Sequence, residues 1–236
     1  MSSGNIVRRQ VTQKTAFGLL IGATVVVVMP VIAIIAIILI NGAEAITWSF
    51  LTEAPSQAGK AGGIFPAILG TIYLMIGTII FALPLGILAG IYLTEYARDN
   101  WLTRTINLAI VNLAGVPSIV FGLFGLGFFV LTFNMGMSLL AASLTLACQA
   151  LAMTVTTSRE AILAVPREYR EGSLALGTTR WQTIRNVVLP QAMPGILTGA
   201  ILAMSRAAGE TAPILVVGAA FLVPKLPTSP MDQFMA

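Results

Sequence analysis

Apolar residues in this chain fall in long unbroken runs, not in an alternating or one-faced pattern. Ala16 to Ile40 carries no charge and holds Pro30 midway. Ile64 to Thr94 is uncharged and contains Pro84. Thr105 to Phe133 is interrupted by Gly115-Val116-Pro117-Ser118, and Met137 to Thr157 follows a turn at Asn134-Met135-Gly136. Gln191 to Leu222 is the fifth run and the only one holding charges, Arg206 and Glu210. A membrane-spanning helix needs about twenty apolar residues, so the pattern predicts five spans. The second run exceeds one perpendicular span, which predicts a tilt or an interfacial turn. The third should be kinked at its glycine and proline.

Between the runs lie a basic N-terminal stretch (residues 1–15), an outer loop over Asn41–Gly63, a short polar link with Glu95, Arg98, Asp99 and Arg104, and a polar, proline-rich tail from Val223. The longest polar stretch is Arg159–Pro190, with Arg159, Arg167, Arg170, Arg180 and Arg185. With the N-terminus inside, ten of the thirteen basic residues fall in inside segments, leaving Lys60 and Lys225 outside and Arg206 within a span. That bias sets a cytoplasmic N-terminus and puts segment 158–190 in the cytoplasm. Ala43-Glu44-Ala45 resembles a signal-peptide cleavage site, but the preceding apolar run exceeds the roughly 7–15 residues of such a leader, so an uncleaved helix is expected. Five spans leave the C-terminus outside in a loop without a basic anchor, which points to a sixth helix missing from the sequence.

Composition agrees. The chain is 57% hydrophobic and 9% charged, with a mean hydropathy of +0.91, against about a quarter charged for soluble domains. The lipid bilayer is therefore its solvent. The basic residues follow topology, not a nucleic-acid patch. There is no histidine and a single cysteine, Cys148, in an apolar run. Histidine catalysis, an intramolecular disulfide and a metal cluster are excluded, and Cys148 reads as a small buried side chain. Gly18/Gly22, Gly86/Gly90 and Gly195/Gly199 are spaced for close helix approach in a packed bundle.

Segment 158–190 predicts two short helices. Pro166 opens the first, over Arg167–Leu176, and Gly177 ends it in a left-handed turn. Thr179 and Gln182 have the spacing of a capping box for the second. Along that helix Trp181, Ile184 and Val188 form an apolar stripe, and Pro190 follows near the start of the fifth span. Such a surface could dock on another protein or lie on lipid headgroups.

The spacing Glu171-Gly172-Ser173, three residues, Gly177, nine residues, Val187-x-Leu189-Pro190 resembles the EAA loop of ABC importer permeases. There the pattern is Glu-Ala-Ala, three residues, Gly, nine residues, Ile-x-Leu-Pro. Gly172 and Ser173 replace alanines and Val187 replaces isoleucine. The resemblance implies an all-α integral membrane protein with the type I ABC importer transmembrane domain over residues 16–236. It implies that 158–190 is the coupling segment seated on a cytoplasmic ATPase. Glu171 would contact that ATPase, Gly177 would make the corner, and Trp181, Leu189 and Pro190 would complete the coupling positions. The chain has no phosphate-binding loop of its own: Gly59-Lys60-Ala61 lacks the hydroxyl, and Gly122–Gly127 lacks the lysine. It is expected to be no enzyme, to carry no cofactor or metal, and to draw its energy from a partner.

Arg206 and Glu210 are the remaining chemistry. Ionisable groups inside a membrane are costly and mark functional sites by default. At four residues apart they can pair on one helix face, either as structural glue or with Arg206 facing a pathway for an anion. Ser205 and Thr211 are further candidate lining groups, although hydroxyls in helices more often bond back to their own backbone. The stretch Arg206-Ala-Ala-Gly-Glu210-Thr-Ala-Pro213, with Gly62-Gly63-Ile64 and Leu93-Thr94-Glu95-Tyr96, resembles a permease of the phosphate-specific ABC importers. Members usually have six spans. This resemblance implies a homologous second permease, two ATP-binding cassette subunits, an extracytoplasmic phosphate-binding protein and an inner-membrane location. Another oxyanion such as sulfate or molybdate is the alternative cargo. A non-pumping channel or scaffold is disfavoured by the loop spacing.

Overall fold

The computed structural model describes residues 3–56, 61–218, 227 and 229–235. It divides into two units, 1–52 and 53–236. Lys60 and Lys225, the two outer basic residues of the charge count, lie outside the described residues.

The first unit is dominated by one helix, α1 (Ser3–Gly42), which runs through Pro30 and is followed by a short turn and α2 (Trp48–Thr52). The helix begins within the basic N-terminal stretch. The outer loop expected from Asn41 contains α2 as well.

The second unit is a helical bundle, and no strand occurs among its described residues. Its helices are α3 (Phe65–Ile91), extended by a widened turn to Tyr96; α4 (Trp101–Ala114); α5 (Ser118–Gly125), widened to Thr132; α6 (Leu139–Leu163); α7 (Arg167–Ala175); α8 (Arg180–Thr183); α9 (Leu189–Ala208); and α10 (Ala212–Val217). Thr12–Ala45, Phe65–Tyr96, Leu139–Leu163 and Arg180–Ala208 are each long and apolar enough to cross a membrane. Pro84 does not break α3.

The expected kink in the third run is a corner. α4 and α5 meet at 105° across Gly115–Pro117. At about 1.5 Å per residue neither half alone spans a bilayer. The packing shows that together they cross it. Gly77 of α3 faces Ser143 of α6, Gly86 faces Thr154, and Gly90 faces Ser158. Residue numbers rise together, so α3 and α6 run parallel, and the segment between them must return across the membrane. The turn between α5 and α6 is the tight one expected, with Asn134 at φ 53° and Gly136 at φ 64°.

α6 is the central helix. Its far side meets α9, where Gly195 faces Ala161 and Gly199 faces Thr157, now antiparallel. Two of the three glycine pairs singled out in the sequence therefore mark close contacts with α6. Gly18 and Gly22 face open space. Small side chains on α6 (Ala141, Ala147, Ala150) keep the axes close, and Leu74, Leu146, Val217 and Phe234 fill one end of the core. Phe234 belongs to the polar tail, yet it is fully buried. The backbone carbonyls of Pro230 and Asp232 accept from the N–H groups of Leu140 and Leu139, so the tail satisfies first-turn donors that α6 leaves open. Cys148 is half-buried.

Candidate functional site

Two parts of the second unit carry chemistry: the corner over 158–190 and a cavity beside Arg206.

At the corner α7 begins after Pro166 and stops at Ala175, one residue short of the predicted end. Gly177 turns the chain with φ +82°, and a Cβ there would meet nothing within 4 Å. The requirement for glycine is therefore one of backbone conformation, not of space. The capping box forms: Thr179 N–H donates to Gln182 Oε1 at 2.8 Å, and Gln182 N–H donates to Thr179 Oγ1 at 3.3 Å. The departure at Ser173 has a structural use. Its hydroxyl, Thr178 and Thr183 form a triangle of hydrogen bonds at 2.9–3.0 Å, bracing the two helices across the corner.

The predicted apolar stripe splits. Ile184 and Val188 are buried in a core with Ile162 and Ile196, while Trp181 is 56% exposed. The sequence reading put all three on one docking face. Instead the second short helix does not end before the membrane. α8 runs through a widened turn over Ile184–Val188 into α9, giving one helix over Arg180–Ala208. Pro190 sits two residues beyond that widened turn, near the start of α9. Leu189 packs inward against the same core, so only Glu171, Gly177, Trp181 and Pro190 of the five coupling positions are exposed. Leu176, not singled out in the sequence, is 86% exposed at the corner and adds apolar surface beside it.

A fastening absent from the sequence reading holds this corner to α3. Arg170 donates through Nε and Nη2 to Glu95 Oε1 at 3.1 and 2.8 Å, and through Nη1 and Nη2 to the carbonyls of Val165 and Ile162 at 2.7 and 2.8 Å. Glu95 is buried. The Arg180 guanidinium lies 5.3 Å from the centre of the Tyr96 ring, within range of a cation–π attraction. In the nearby link, Asp99 and Arg104 form an exposed bidentate pair, and the hydrogen bonds from Arg104 hold the Asp99 carboxyl below its ordinary range.

Arg206 lies in the last turn of α9, which stops at Ala208. The fifth run is thus broken at Gly209–Thr211 before α10, and Glu210 lies in the break. The two charges do approach, with Nε 3.8 Å from Oε1, but not on one intact helix face. The Arg206 side chain is 58% exposed and that of Glu210 14%. Glu210 Oε1 takes its short bond, 2.6 Å, from Gln149 Nε2 of α6.

Arg206 lines a cavity of about 200 Å³ with Ala114 and Val116 at the α4–α5 corner and with Gln149, Met153 and Thr156 of α6. The break at 115–117 thus lines it through Val116, and the last turn of α9, just before the break at 209–211, lines it through Arg206 and Ala207. Glu210 and Thr211 line a neighbouring cavity against Thr71, Leu74 and Met75 of α3. Ser205 is exposed on α9 and lies outside both linings. Gln149 escaped the sequence reading; a lone amide in the middle of an apolar run was the available signal. No group of residues fit to hold a metal occurs among the described residues.

Residues 82–230 match the model of the family described as binding-protein-dependent transport system inner membrane component. The chain belongs to that family. It is a permease-type transport component and a multi-pass membrane protein. A probable ABC transporter permease of Bacillus subtilis (strain 168) is 35% identical over 207 residues, 88% of this chain and 70% of the relative. A phosphate transport system permease of Mycobacterium tuberculosis, PstA 1, is 34% identical over 214 residues, 89% of this chain and 70% of the relative. Among solved structures, an inward-facing form of the MetNI methionine ABC transporter aligns with a TM-score of 0.55 at 23% identity, covering 62% of this chain and 71% of that one. That likeness establishes the fold as that of an ABC importer transmembrane domain.

Proposed function

We propose that this chain is a permease subunit of an ATP-driven importer for inorganic phosphate. It pairs with a homologous second permease to form the pathway. One of two ATP-binding cassette subunits docks on segment 158–190, with the N-terminus on the same, cytoplasmic side, and an extracytoplasmic binding protein delivers phosphate from the other. ATP binding and hydrolysis, carried out on the partner, move the docked corner and switch the spans between outward and inward access.

The observation that carries this reading is Arg206 lining a cavity at the junction of two broken helices. Its planar guanidinium offers charge-assisted, bidentate bonds suited to a tetrahedral oxyanion. The nearby carboxylate tempers the attraction, as a site that must release its cargo requires. Discontinuous helices beside an intramembrane site are a recurring arrangement in transporters. The relatives named as phosphate permeases support this cargo.

The test is reconstitution. The chain co-expressed with its candidate partner subunits should co-purify with an ATPase, and vesicles of that complex should accumulate radiolabelled phosphate in the presence of ATP and the binding protein. Failure to associate with any ATPase would sink the permease assignment. ATP-driven uptake of labelled sulfate or molybdate but not phosphate would replace the cargo.

A further inference from the structure

We infer that Gln149 is a positioning residue: its amide holds the Glu210 carboxylate off the Arg206 guanidinium and so keeps that guanidinium free for the anion. The inference rests on the reading of Arg206 as the anion-binding group.

Two donors approach one oxygen. Gln149 Nε2 of α6 donates to Glu210 Oε1 at 2.6 Å, while Arg206 Nε stands 3.8 Å from the same atom. The first is a short hydrogen bond and the second is too long to be one. Opposite charges four residues apart on an intact helix are placed to pair. Here α9 stops at Ala208 and Glu210 lies in the break, so the carboxylate turns toward α6 instead. Arg206 and Gln149 line the cavity beside the α4–α5 corner, whereas Glu210 lines its neighbour against α3. The cation and its counter-charge therefore face different spaces.

The amide is locked in this orientation. Its Oε1 is buried without a hydrogen-bond partner, which is unfavourable. Turning the amide over would set that oxygen against a charged one, so the orphan is the lesser cost.

The behaviour of Glu210 without Gln149 follows from its burial. Its side chain is 14% exposed, so water cannot satisfy it and the carboxylate needs donors from the protein. Thr71, in the same cavity, already donates to the carbonyl of Ala67. The Arg206 guanidinium is the cation within 4 Å, on a side chain exposed enough to swing across. The resulting charge-assisted pair would occupy N–H groups that an oxyanion needs. Gln149 thus sets how far the carboxylate tempers the site, acting through Glu210 and not on the anion.

The experiment is equilibrium binding of radiolabelled orthophosphate to the complete membrane complex in nanodiscs, without the external binding protein. Gln149→Leu should weaken binding about tenfold or more, the scale of one hydrogen bond to a charged group. Glu210→Gln keeps an acceptor for Gln149 and removes the competing charge, so it should bind at least as tightly as the wild type. The decisive arm combines Gln149→Leu with Glu210→Gln. With no carboxylate to fall onto Arg206, the double variant should recover the affinity of Glu210→Gln. A double variant as weak as Gln149→Leu would show that the amide only supports the cavity wall, and would overturn the inference. Unchanged binding in Gln149→Leu would do the same. So would weakened binding in Glu210→Gln, which leaves α6 untouched and decides the matter if the Gln149→Leu complex does not assemble. Arg206→Gln should lose phosphate whatever stands at 149 and 210. If it binds as the wild type does, or if the wild-type complex binds no phosphate, the reading of Arg206 fails and this inference with it.

Discussion

Arg170 and Glu95 meet at 2.8 Å across 75 residues of chain, joining the corner over 158–190 to the end of α3. Arg170 also bonds the carbonyl of Ile162 in the last turn of α6 and that of Val165 just beyond it, so one guanidinium ties three elements together. Removing one partner of a buried pair leaves the other charge uncompensated, at about 3–5 kcal/mol. Arg170→Ala should therefore lower the thermal stability of the complex and abolish ATP-driven uptake. Glu95→Gln keeps an acceptor for Arg170 and should cost about 1–2 kcal/mol. Thermal unfolding of both variants in detergent checks the order; a Glu95→Gln variant less stable than Arg170→Ala would contradict it.

Gly177 is tested by two substitutions that differ in backbone preference. A Cβ at this position meets no neighbour within 4 Å, so only its φ of +82° is at stake. Valine resists the left-handed region and should abolish transport while the protein still inserts. Asparagine visits that region readily and should retain most of the uptake. Equal activity of the two variants would remove the corner from the coupling argument.

Arg206→Gln should abolish phosphate uptake with little effect on assembly. The side chain is more than half exposed, and its nearest carboxylate contact is 3.8 Å. Substitutions at exposed sites usually change stability by less than about 0.5 kcal/mol. The paired measurements are uptake and the yield of purified complex. Normal uptake with normal yield would move the pathway away from this arginine.

The α3–α6 contact should be intolerant of added volume. A Cβ on Gly86 would lie 2.6 Å from Thr154 Cγ2, so Gly86→Ala should destabilise by roughly 1–3 kcal/mol. Gly172→Ala faces open space and should be neutral or slightly stabilising in its helix. Thermal unfolding of the two variants gives the comparison, with a neutral Gly86→Ala being the contrary result.

The parts of the fold legible in the sequence were those written locally. Run length foretold the long helices, Thr179 and Gln182 foretold the capping box, and Gly177 foretold the corner. The break at Gly115–Pro117 was visible, but its 105° angle was not, because helix breakers say where a helix stops and not where the next one goes. The periodicity of Trp181, Ile184 and Val188 was real, yet its face was misread. The helix continues past Pro190 through a widened turn, which carries the latter two side chains into the core. At the candidate site, Arg206 stood out because a charge in an apolar run is rare. Gln149, Glu95 and Arg170 did not, since each acquires its meaning from a partner on a distant helix.

The single helix over Arg180–Ala208 has a mechanical consequence. Trp181 stands near one end and Arg206 near the other, about 38 Å apart at 1.5 Å per residue. No loop interrupts the rod between them, and its one irregular turn, at Ile184–Val188, is clamped in packed side chains. A tilt imposed at the tryptophan end must sweep the arginine end through an arc. On the proposed function, the lever that feels the motor and the hand that holds the cargo are the same piece of backbone.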